Sequence, residues 1–98
     1  MSHESHSDPS RWELRHSDRI VYDKATGEVV HVHQVLWRPD REAPSTSVID
    51  TDARRVAAKV AQRDEHTLEV LPVELEALER NTTYVVDLRT KKLINKAS

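Results

Sequence analysis

The sequence predicts an α+β fold: a mostly antiparallel sheet of four or five strands with one helix packed on one face, in ββαββ order. Three observations carry this. A turn motif occurs twice, since Val21-Tyr22-Asp23-Lys24-Ala25-Thr26-Gly27-Glu28-Val29-Val30 lines up with Val85-Val86-Asp87-Leu88-Arg89-Thr90-Lys91-Lys92-Leu93-Ile94. Each copy reads as a β-branched run, Asp, two residues, Thr, two residues and an aliphatic pair, the outline of a hairpin. A stretch with helical periodicity lies between the copies. The only Gly of the chain, Gly27, falls in the first turn.

Residues 1–10 carry nothing apolar after Met1 and are expected to be a disordered tail, leaving residues 11–98 as a single α+β domain. Arg19 to Lys24 forms the first strand, and Gly27 supplies the positive φ of a bulged hairpin loop. The return strand, Glu28 to Trp37, is rich in Val. Alternation puts Val30, Val32, Gln34 and Leu36 on one face and Val29, His31, His33, Val35 and Trp37 on the other. Both faces are largely apolar, as in a strand covered on both sides or central in its sheet.

Arg38 to Ser47, with Pro39 and Pro44, is a loop. Val48 to Arg63 is the helix, with Ile49, Ala53, Val56, Ala57, Val60 and Ala61 on one stripe. Ser47 is placed to cap it, and Asp50 and Asp52 suit its positive end. Asp64 and Glu65 are wrongly signed for a helix C-terminus, so the helix should stop near Gln62 or Arg63. Thr67 to Val73 is a strand whose Pro72 places its end near a sheet edge or terminates it. Glu74 to Arg80 suits one short helical turn. Thr83 to Leu88 and Lys92 to Lys96 form the second hairpin, in which Lys91 or a neighbour takes the left-handed position at a cost of roughly 1 kcal/mol. One long bent strand is the alternative there. This element order resembles the β-grasp arrangement of ubiquitin-like proteins. The chain ends in Asn95-Lys96-Ala97-Ser98, without the di-Gly that conjugated members of that group use, so the resemblance implies an outline and no modifier role.

Composition narrows function mainly by exclusion. The chain has 98 residues, 37% of them hydrophobic, with no Phe and no Cys, so the core is built from Val, Leu, Ile and Ala around a few rings, and thiolate chemistry is absent. Fifteen basic against 17 acidic residues leave a net charge of −2, which gives no global pull toward nucleic acid or acidic lipid. No apolar run reaches the length of a membrane span, and the polar N-terminus predicts a soluble, cytoplasmic protein. Asn81-Thr82-Thr83 matches a glycosylation sequon but reads as a turn entering a strand. There is no G-x-S-x-G, no Gly-rich phosphate loop and no H-E-x-x-H, so no enzyme and no cofactor is expected.

His31 and His33 are the sharpest candidates. Two residues apart on a strand, their rings share a face and can share a Zn, Ni or Cu ion if His16, Asp23 or Asp87 adds a third ligand. The blander reading is a pair of half-buried histidines beside Val35 and Trp37. Met1-Ser2-His3 has chelating spacing that removal of Met1 destroys. Trp12, Trp37 and Arg38 are residue types enriched where proteins meet. Arg89, Lys91, Lys92 and Lys96 form a basic cluster that can touch phosphate, although a solvated edge strand protected by lysines explains it better. These features favour a small non-enzymatic module that docks to a protein partner or to itself through Trp12, His31, His33, Trp37 and Arg38. Metal binding at His31 and His33, or weak phosphate binding at the C-terminal cluster, is the alternative.

Overall fold

The first strand, β1 (Arg15–Asp23), is the centre of the fold. The computed structural model describes residues 14–79 and 81–96; the expected tail and Trp12 lie outside them. β1 turns back into β2 (Val29–Trp37), and α1 (Thr46–Ala61) follows. Then come β3 (Leu68–Val73), β4 (Tyr84–Asp87) and β5 (Lys92–Asn95), with single 3-10 turns at Glu65–Thr67 and Leu75–Ala77. The expected single sheet is in fact two: a three-stranded antiparallel sheet in the order β2-β1-β3, and the separate antiparallel hairpin β4-β5. The fold is α+β, but the likeness to a β-grasp ends at element order.

α1 and the β4-β5 hairpin cover opposite faces of the sheet. On the helix side, Val21 packs with Ala53, Ala57 and Leu68, flanked by Val30, Ala58 and Val70. On the hairpin side, Ile20 and Tyr22 pack with Val86, flanked by Val29, Leu71, Val73, Leu88 and Leu93. β1 is therefore the strand buried on both faces. Burying each of Ile20 and Val21 contributes about 1.5–3 kcal/mol. The sequence pointed to β2 for this place, because both faces of that strand are largely apolar. In β1 even Asp18 and Arg19 are buried, each with partners inside the protein.

The duplicated motif yields the same turn twice. In the first, Asp23 Oδ1 accepts from the backbone N–H groups of Ala25 and Thr26, and Gly27 N–H donates to the Asp23 carbonyl. In the second, Asp87 Oδ1 accepts from Arg89 and Thr90, and Lys91 N–H donates to the Asp87 carbonyl. Gly27 and Lys91 hold the equivalent left-handed position, at φ +83° and +59°. The difference between them is space. A β-carbon on Gly27 would overlap the carbonyl oxygen of Val86, whose N–H donates to the Gly27 carbonyl at 2.8 Å. The first turn is thus the seat on which β4 rests.

Two details of α1 depart from expectation. Ser45, rather than Ser47, caps it, its Oγ accepting from Val48 N–H at 3.2 Å. The helix starts earlier, so Asp50 lies beyond the first turn and pairs instead with Arg19 at 2.7 Å. Only Ile49, Ala53 and Ala57 of the apolar stripe are buried, while Val60 is 67% exposed. The helix stops as expected, with Gln62 in the left-handed conformation. Arg63 then ties this end to the first hairpin through Asp23 (2.7 Å) and Glu28 (3.2 Å).

Candidate functional site

β2 and β3 are the two edges of the three-stranded sheet, and they are built differently. The β3 edge carries Pro72, which cannot donate a ladder hydrogen bond, and Glu69, which pairs with Lys91 at 3.6 Å. Such features discourage pairing with another strand. β2, of nine residues, contains no Pro, Gly, Lys, Arg, Asp or Glu. Among the described residues, its outer side pairs with another strand only just before its start, where Glu28 bridges to Val85. From there to Trp37 the edge is uncharged.

A bulge sets the faces of this edge. Val21 pairs with His31 but Tyr22 pairs with Val29, so Val30 is an extra residue. Val29 therefore packs toward the hairpin and Val30 toward the helix, the reverse of the simple alternation. Beyond the bulge the alternation holds. His31, His33, Val35 and Trp37 share the helix side with Val21, Arg19 and Ser17. Val32, Gln34 and Leu36 share the other side with Ile20, Asp18 and His16. That side is open past the end of the β4-β5 hairpin, and Val32 and Leu36 are 49% and 53% exposed.

The structure brings His31 and His33 together, with ring centroids 5.7 Å apart. His31 Nε2 is buried without a hydrogen-bond partner. Burial, and then the neighbouring His33, pushes the His31 pKa below its ordinary value. The suggested third ligands stand elsewhere. His16 is on the opposite face, Asp23 binds Arg63 and Asp87 caps its own turn. Among the described residues, no three His, Asp or Glu side chains gather where a metal ion would fit. Trp37 ends the strand half-buried opposite Arg15, and Arg38 makes an exposed 3.4 Å pair with Asp40.

Asp18 is a feature that sequence reading passed over. It is 2% exposed. Its Oδ1 accepts from Gln34 Nε2 at 2.9 Å and lies 3.0 Å from His16 Nδ1, while Oδ2 accepts from Leu75 N–H at 3.1 Å. One carboxylate thus joins β1, β2 and the 3-10 turn after β3. Burial alone would raise its pKa, but the bonds from Gln34, Leu75 and His16 outweigh burial and hold it below the usual carboxylate range. The hydrogen bond to Asp18, and then its charge, raise the pKa of His16, whose Nε2 also lies 3.7 Å from Glu76. The i, i+2 spacing of His16 and Asp18 on a strand was the available signal.

In the basic C-terminal cluster, the Lys91 side chain already has partners in Glu69 and the Tyr22 ring, and Arg89 sits in the second turn. A depression of about 610 Å³ at the end of α1 is lined by Arg55, Lys59, Arg63 and His66 but also by Asp64 and Glu65, so it has no single sign. Among the described residues, no helix is long and apolar enough to cross a membrane. No family model, curated protein or solved structure matches this chain.

Proposed function

We propose that this protein is a non-enzymatic interaction module that docks through the outer edge of β2. The observation that carries the reading is the contrast between the two sheet edges: β3 carries Pro72 and a charge, whereas β2 is long and uncharged. An unpaired strand edge offers a row of N–H and C=O groups to an incoming strand, and its side chains supply selectivity. Here those side chains are Val32, Gln34 and Leu36 on one face and His31, His33, Val35 and Trp37 on the other, with Arg38 at the end. Mutating Val32→Lys together with Leu36→Lys tests this, because both side chains are largely exposed and the core is spared. Native co-purification of the tagged wild type, with this variant and a Glu69→Lys variant on the β3 edge as controls, is the assay. Association, with another protein or with itself, should be lost in the β2 variant alone. Association that survives in the β2 variant, or none in the wild type, would overturn the reading.

A second reading has one observation in its favour. The unpartnered Nε2 of His31, beside His33, suits a bound transition-metal ion. Metal analysis of protein purified without chelators, against His31→Ala/His33→Ala, tests it. Metal content equal in the two proteins would end it.

A further inference from the structure

We infer that the occupant of the β2 edge is a second copy of this chain, paired antiparallel about a two-fold axis through Gln34. This rests on the docking reading above and adds a partner and a register. A two-fold axis perpendicular to a sheet keeps each face of the strand on its own side. Residues therefore meet in pairs placed symmetrically about one central residue. The regular part of β2 is bounded by the bulge at Val30 on one side and by the strand end at Trp37, followed by Pro39, on the other. Its central residue is Gln34.

The side chains suit that register. On the open face, Val32 of one copy meets Leu36 of the other, so the two large exposed apolar side chains of β2 cover each other twice. Gln34 meets Gln34, and Asp18 already fixes its amide by accepting from Nε2 at 2.9 Å. On the helix side, His31 meets Trp37 and His33 meets Val35. With the histidines neutral, none of these pairs brings like charges together. Shifting the axis by one residue to His33 would set Val32 against Gln34 and His33 against itself, and would carry Leu36 to the bulge, where Val30 faces the helix side. Pairing about Gln34 also ends where it must, because beyond it the bulge of one strand reaches Arg38 and Pro39 of the next. The product is a six-stranded sheet with both α1 helices on one face.

Analytical ultracentrifugation of the full chain at micromolar to high-micromolar concentration tests the proposal with three proteins. The wild type should move from the 11.3 kDa monomer toward twice that mass as concentration rises. Val32→Lys/Leu36→Lys places lysine against lysine across the axis and should stay monomeric. Val32→Lys/Leu36→Glu places each introduced lysine opposite an introduced glutamate and should restore the dimer, more strongly at low salt. Circular dichroism confirms that both variants are folded. Equal dimerisation of both variants, or dimerisation of neither, overturns the register about Gln34. A wild type that stays monomeric throughout overturns the second copy as occupant. In that event, co-purification of a different protein that the lysine pair abolishes would leave the docking reading standing, and its absence would remove both.

Discussion

The twin turns make opposite demands on one backbone position, and substituting alanine in each separates them. Gly27 and Lys91 both hold positive φ. At Gly27→Ala, adopting the left-handed conformation costs about 1 kcal/mol. The new β-carbon also overlaps the Val86 carbonyl, so β4 must retreat and weaken the bond from Val86 N–H to Gly27, worth about 1 kcal/mol. Val86 is 2% exposed in the core with Ile20 and Tyr22, and loosening that contact costs about 1–2 kcal/mol. Alanine recovers about 0.5 kcal/mol by restricting the unfolded chain. The net loss is about 3 kcal/mol. At Lys91→Ala the strain is already present, and only the exposed pairing with Glu69 and the distant contact with the Tyr22 ring are removed, for about 0.5 kcal/mol together. For a domain of this size, a difference near 2.5 kcal/mol separates the two variants by about 10–20 °C in melting temperature. Thermal and urea unfolding followed by circular dichroism measure it. Equal losses within about 0.5 kcal/mol would refute the idea that Gly27 is required by the close approach of β4.

Other outcomes follow from the same contacts. Asp18→Asn should cost about 2 kcal/mol near neutral pH, since one buried acceptor oxygen is replaced by a donor facing donors. Because folding depresses the Asp18 pKa, its contribution is present above the ordinary carboxylate range and fades as pH falls through the lower folded value. Wild type and variant should therefore converge in acid, and a gap that widens there would be inconsistent. His16 runs the other way. Its raised pKa stabilises the fold at pH values below the ordinary histidine pKa, and that contribution is lost as pH rises through the folded value. Wild type should exceed His16→Gln by more at pH 5 than at pH 9, read from urea midpoints. Ser45→Ala should cost about 1 kcal/mol as a lost cap while Ser47→Ala stays near zero, and the reverse order would return the cap to Ser47.

What could be read from sequence was local. The Asp-x-x-Thr turns, the left-handed position at Lys91, the stop of α1 near Gln62 and the edge position of Pro72 depend on residues close in the chain, and each is found. Strand order is not local. Which of β1 and β2 is central depends on β3 and on where the second hairpin lands, and the largely apolar faces of β2 pointed to the wrong strand. Asp18 and Arg19 tolerate the interior only because Gln34, Leu75 and Asp50, distant in sequence, meet them. The bulge at Val30 was invisible for the same reason, since one extra residue shows only against a partner strand. His31, His33 and Trp37 were correctly placed on one face by alternation. That this face borders an open edge could not be read, because an edge is defined by a missing neighbour.

The central claim is that the outer edge of β2 is a strand-pairing surface used by a second copy. Amide hydrogen exchange measured by nuclear magnetic resonance across a dilution series tests it residue by residue. Protection of outward-facing amides within residues 31–37 should rise with protein concentration, while the β3 amides and α1 stay constant. Concentration-independent exchange along β2, or a concentration effect confined to β3 or α1, would contradict the account.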